Sequence, residues 1–246
     1  MALAATSILA ADEPSFSGSW KLNLTKSQLK GQTVTFEKTA SGLIHFDSEG
    51  FGYDFDLKGS QYPTPDGGTI AWVETTPTSW QGTNFMNGKV IGTYSLSIEG
   101  DSMTFSMKLK KADGSDMEQS TTSTRVSGGP GFLGKWKSSE VKGAPTTVDI
   151  ATRGQKGITI KYPEFQQVCK GKFDGKDYPL KEAGRVSKFT LAFERTGPNT
   201  FKMTTNLDGK PFYVDVLTLS PDGNTLTDDG NAVSVDEPVK FVYERQ

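Results

Sequence analysis

Asp54 and Asp56, in the stretch YDFDL, place two carboxylates on one face of an extended segment. That is the pairing from which a glycosidase draws an acid and a nucleophile or base. His45, in LIHFD, is the only histidine, so a Ser-His-Asp or Cys-His-Asn arrangement would have to be built on it. The acidic runs DGSD (Asp113–Asp116) and PDGNTLTDDG (Pro221–Gly230) cluster carboxylates. Neither has the Asp-x-Asp-x-Asp-Gly order with a closing Glu that a calcium loop needs, so both read as hairpin turns. Cys169 is the only cysteine, which excludes an internal disulfide and a cysteine-based zinc site. No glycine-rich loop opens a helix to cradle phosphate. The residues thus point to no metal and no cofactor.

The elements that must position these residues are soluble and rich in turns. Of 246 residues 34% are hydrophobic, with 27 glycines and 12 prolines. A net charge of −2 leaves no electrostatic footprint for nucleic acid or an anionic membrane. No apolar run approaches the ~18 residues that span a bilayer as a helix. ALAATSILAA (2–11) followed by DEP has the small residues and acidic, proline-containing junction of a signal-peptidase site, without a basic leader. The expectation is a truncated signal or tail over residues 1–15, a mature start near Asp12, and a periplasmic or secreted protein.

FSGSWKLN (16–23) returns as FLGKWKSS (132–139), an offset of 116 between Trp20 and Trp136. The same offset carries Gly59, Tyr62 and Pro63 onto Gly175, Tyr178 and Pro179. After an insertion in PLKEAGRVSK the offset becomes 121, carrying Thr69–Trp72 onto Thr190–Phe193, Trp80 onto Phe201 and Leu96 onto Leu217. Arg125 matches Arg245 at 120. The chain is a duplication of residues 16–126 and 132–246, joined by SGGPG at 127–131.

Each copy alternates apolar and polar residues, as in MTFSMKL, ITIKY and KFTLAF, and turns at sites such as MNGK, EGDS, LDGK and SPDGN. The fold class is all-β: two tandem antiparallel barrels of about eight short strands each, closed to protect their edges.

The G-x-W on the first strand with an arginine on the last resembles the lipocalin signature, matched by Gly18, Trp20 and Arg125 in one copy and by Gly134, Trp136 and Arg245 in the other. The resemblance implies that the indole crosses the closed end of its barrel under the arginine of the same copy. The duplicated copies are similar to lipocalin-like domains of exported bacterial proteins.

Each copy then serves to read the other. Asp54 and Asp56 match Lys170 and Lys172, which is normal for a solvated face, and His45 matches Lys161. Trp72 and Trp80 become Phe193 and Phe201, an exchange that keeps the ring but drops the indole N–H, as core packing allows. Cys169 matches the inward Tyr53 and reads as a buried thiol. Asp215 replaces the inward Tyr94, which would direct a carboxylate into a barrel with Tyr213 beside it and Tyr178 or Arg195 as partners. Alternatively the strand faces the other way, through Phe212, Val214 and Val216, and Asp215 is exposed.

The expected function is an exported binding protein for a small hydrophobic or aromatic molecule, held in or between the barrels. The candidate contacts are Tyr53, Trp72, Tyr94, Tyr178, Phe193, Arg195, Tyr213 and Asp215. The alternatives are a metal-independent hydrolase of glycosides or esters that uses an inward carboxylate, and a structural or interaction protein.

Overall fold

A computed structural model describes residues 15–29, 31–111, 114–143, 147–153, 156–182, 184–233 and 239–246. The signal-like stretch expected over residues 1–15, with its cleavage near Asp12, falls almost wholly outside them.

Among the described residues the chain forms twenty antiparallel strands and no α-helix. Alternation sets most of them, with one face apolar and the other polar. In chain order the first ten are β1 (Gly18–Leu22), β2 (Thr33–Lys38), β3 (Ile44–Ser48), β4 (Phe51–Phe55), β5 (Lys58–Pro63), β6 (Thr69–Thr76), β7 (Ser79–Met86), β8 (Lys89–Glu99), β9 (Ser102–Lys110) and β10 (Asp116–Ser127). The second ten are β11 (Gly134–Gly143), β12 (Thr147–Arg153), β13 (Gly157–Tyr162), β14 (Gln167–Lys172), β15 (Asp177–Glu182), β16 (Arg185–Gly197), β17 (Thr200–Leu207), β18 (Lys210–Leu219), β19 (Thr225–Ala232) and β20 (Val239–Arg245). The turns Asn87–Gly88 and Asp208–Gly209 occupy equivalent positions, and all four residues have positive φ, as a two-residue hairpin requires.

The strands assemble into two barrel-like sheets of ten, not about eight. One runs β4-β3-β2-β11-β10-β9-β8-β7-β6-β5, and its end strands β4 and β5 meet without a ladder. The other, β12 to β20 in order, is closed by β1, which pairs with β12 on one side and β20 on the other. The copies and the barrels therefore differ by the exchange of one strand. β11, from the second copy, sits between β10 and β2 of the first barrel.

The exchange corrects the expected indole–arginine partners. Arg245 lies over Trp20 at 4.2 Å, and Arg125 over Trp136 at 4.0 Å. Each indole is fully buried, and each donates Nε1–H to a carbonyl four residues back, Phe16 or Phe132, at 2.9 Å. A side chain at Gly18 would meet Arg245 Nη1 at 2.4 Å, so the glycine is what lets the guanidinium reach the ring. Past β1 the chain returns to the same edge of β20, with Gln28 and Lys240 exchanging backbone hydrogen bonds of 2.7 and 3.1 Å.

DGSD and PDGNTLTDDG were expected to be turns throughout. Asp113 lies outside the described residues, and Asp116 opens β10 with ion pairs to Lys108 and Lys110. In the second run only Pro221–Asn224 turns, and residues 225–232 form β19.

Candidate functional site

The two interiors differ because three positions change size. Leu22 of β1 and Phe241 and Tyr243 of β20 fill the second barrel. Their counterparts in the first, at the offsets that relate the two tryptophans and the two arginines, are Ser138, Thr121 and Ser123. The ladders agree, since Leu22 faces Tyr243 in one barrel and Ser138 faces Ser123 in the other. Ten strands enclose more volume than eight, and small residues leave it unfilled. The first barrel accordingly holds a cavity of about 460 Å³.

Nine aromatic side chains line this space. Phe46 and Tyr53 meet at 4.9 Å, Trp72 and Tyr94 stack at 6.1 Å, and Tyr94 and Phe105 meet at 5.4 Å. Trp72 reaches its place because β7 carries Gly82, where a Cβ would come within 2.9 Å of the indole. The second barrel reverses this arrangement: Phe193 lies against Gly171, where a Cβ would meet it at 2.8 Å. At the mouth, Phe212, Tyr213 and Ala232 of the second barrel complete the lining, and Phe51 meets Phe212 at 6.5 Å.

The polar groups of the cavity are few. Trp72 Nε1–H donates to the Tyr53 hydroxyl at 3.2 Å, and Asn84 Nδ2–H to the Tyr94 hydroxyl at 3.0 Å. Asn84 Oδ1, Ser138 Oγ and the Tyr213 hydroxyl are buried without partners. Burial raises the pKa of Tyr53 and Tyr94, so both stay protonated at neutral pH.

Four of the eight candidate contacts, Tyr53, Trp72, Tyr94 and Tyr213, come together at this cavity. The others do not. Phe193 is buried in the core of the second barrel. The Tyr178 hydroxyl donates to Asp174. The Arg195 guanidinium sits over Phe16 and Phe173, and Nη1–H donates to the Pro198 carbonyl. Neither Tyr178 nor Arg195 is thus a partner of Asp215. His45 and Asp54 form an exposed pair at 2.6 Å, Asp56 accepts from Lys58 N–H and Ser60 O–H at the start of β5, and Cys169 is fully buried.

Asp215 points into the second barrel and is 5% exposed. Its partner is Asp228, 7% exposed, a residue the turn reading concealed. Leu219 pairs with Leu226 as Ile98 pairs with Met103, so the Ser220–Thr225 connection is two residues longer than its counterpart. Counting from there, Asp228 occupies the place of Phe105. The Tyr94–Phe105 ring pair of one barrel is thus a carboxyl pair in the other. Desolvation pushes Asp215 up to about 7 and Asp228 well above its usual range, and a hydrogen bond between the two carboxyls favours one shared proton. Asp228 Oδ1 is buried with no donor facing it, a setting that suits a protonated carboxyl. Gly230 makes room for the pair, since a Cβ there would meet the Tyr213 hydroxyl at 2.7 Å and Asp215 Oδ1 at 2.8 Å.

Among the described residues no group of three His, Cys, Asp or Glu is gathered to hold a metal ion, and no helix is long and apolar enough to cross a membrane. Comparison with known family models, curated proteins and solved structures finds no match.

Proposed function

We propose that the protein is an exported, lipocalin-like binding protein that holds a small, mostly apolar molecule inside its first barrel. The observation that carries this reading is the cavity of about 460 Å³, within the ~300–1,000 Å³ typical of ligand pockets and walled by rings with a few buried polar atoms. The lipocalin-like assignment rests on the indole–arginine closure in both barrels. Export rests on the residue pattern of 2–13, and sequencing the N-terminus of protein made from its own gene tests that part.

The binding test restores in the first barrel what fills the second. Ser123→Tyr and Ser138→Leu should each weaken, and together abolish, the fluorescence gain of the neutral dye N-phenyl-1-naphthylamine. Circular dichroism should be unchanged. Dye binding that survives in a folded double variant would defeat the reading.

A second reading, a metal-independent hydrolase of glycosides or esters, is favoured by the Asp215–Asp228 pair, whose shared proton suits a general acid. Hydrolysis of chromogenic esters or glycosides that disappears in Asp228→Asn would support it.

A further inference from the structure

We infer, building on the binding role proposed for the first barrel, that its ligand is an uncharged ring compound bearing a hydrogen-bond acceptor oxygen, such as a ketone, lactone or phenol. Carboxylate amphiphiles are excluded by the same features. The described residues that line the cavity include no Lys, Arg or His, while they do include Glu49 and Asp66. Burial raises the Glu49 pKa, helped by the nearby Asp47, and Asp66 bears on both Tyr53 and Tyr94. A carboxylate brought into this space would lose its hydration, find no cation and meet acidic neighbours.

The hydrogen-bonding capacity left over specifies the rest. Tyr53 and Tyr94 each use an oxygen lone pair to accept, from Trp72 and Asn84, and among the described residues neither hydroxyl proton has an acceptor. The Tyr213 hydroxyl is also buried without a partner, but it lies toward Gly230 and Asp215 of the second barrel and does not join these protons. What faces the ligand is therefore chiefly protons, which suit a carbonyl, ether or hydroxyl oxygen and are wasted on an ammonium group. Asn84 Oδ1 is the buried acceptor beside them, available to a ligand O–H or N–H. The walls select shape: the stacked Trp72 and Tyr94 rings and the Tyr94–Phe105 contact form flat aromatic surfaces better matched by a ring system than by a flexible chain.

Four naphthalenes of similar size test this by titration calorimetry against the full chain: 2-acetylnaphthalene, 2-ethylnaphthalene, 2-naphthoate and 2-naphthylmethylammonium. The ketone should bind at least about tenfold more tightly than either ion. The carboxylate finds no cation among the described lining residues. The ammonium makes no use of the Tyr53 and Tyr94 hydroxyl protons, while Glu49 and Asp66 already accept from Thr33 and from Thr64 and Gly68. Tyr94→Phe and Tyr53→Phe should each weaken the ketone by roughly fivefold, the scale of one neutral hydrogen bond, and leave 2-ethylnaphthalene unchanged. Retention of 2-ethylnaphthalene binding shows that each variant is folded. Naphthoate or the ammonium compound binding as tightly as the ketone would overturn the ligand class while leaving the binding role intact. So would Tyr→Phe variants that treat ketone and hydrocarbon alike. Failure of all four to bind, or binding indifferent to Ser123→Tyr with Ser138→Leu, would overturn the binding role and the ligand class together.

Discussion

Arg245 of the last strand rests 4.2 Å above the indole of Trp20 in the first, so the two ends of the chain close one barrel. Arg245 also donates to the carbonyls of Ser15, Ser17 and Gly223, which fixes the N-terminal strand against the hairpin before β19. Trp20 belongs energetically to the second barrel although it is written in the first copy.

Trp20→Ala should therefore destabilise the second barrel by about 3–5 kcal/mol, the usual cost of truncating a buried large aromatic. Hydrogen exchange locates the loss. Amides of 147–246 should lose protection, while those of 33–126 should keep theirs. Loss confined to 33–126 would contradict the strand exchange.

The sequence and the structure agree on much of this fold, and the repeat explains why. Alternation in MTFSMKL and ITIKY reports a one-sided face directly, and a constant offset transfers that facing between copies. The strand exchange leaves no trace, because Trp20 and Trp136 sit in near-identical stretches and either suits either arginine. The hollow first barrel was legible at Ser123 and Ser138, had the offsets that match the arginines and tryptophans been applied to Tyr243 and Leu22. Asp228 was hidden by local chemistry, since Asp-Asp-Gly has turn composition yet lies in β19. Its facing follows only from the two-residue lengthening of the preceding connection.

The carboxyl pair makes stability depend on pH. Asp215 is pushed up to about 7 in the folded state and Asp228 is raised as well, so the folded protein holds more protons than the unfolded chain above about pH 4. The Asp215 contribution is complete below pH ~4 and is lost as pH rises through about 7, at up to ~1.4 kcal/mol per unit, and the raised Asp228 acts in the same sense. The half-buried Asp116 and the exposed Asp174 and Asp222, whose pKa values are lowered, act in the opposite sense but only at more acidic pH. Urea midpoints should fall between pH 5 and pH 8. Asp228→Asn, which removes a charge and offers Asp215 a permanent donor, should flatten that slope. An unchanged slope would show that the pair is not its source.

Filling the cavity should separate stability from binding. Ser138→Leu adds apolar area to space left open by the first barrel and should raise its stability by about 1 kcal/mol. Gly82→Ala should act oppositely, destabilising by about 1–3 kcal/mol because its Cβ would press on the Trp72 ring. Both should weaken dye binding. Thermal melts beside dye titrations read the two effects independently.

Cys169 should be inert while the protein is folded. It is fully buried, and burial pushes its thiol up to about 12. Ellman's reagent at pH 8 should label it only at the rate of unfolding, and fast labelling of native protein would place the thiol at the surface.

The exchanged strand also gives the molecule a mechanical polarity. β1 and β20 are antiparallel neighbours whose outer ends lie side by side, with the Gln246 amide donating to the Ser19 carbonyl at 2.9 Å. Tension applied through the two termini therefore loads that ladder from one end, peeling β1 away one hydrogen bond at a time instead of shearing the whole strand. The second barrel opens first under such a load. The first barrel, whose ten strands come from one unbroken run of chain from β2 to β11, lies outside the β1–β20 ladder. Its cavity is carried on the half of the molecule that stretching reaches last.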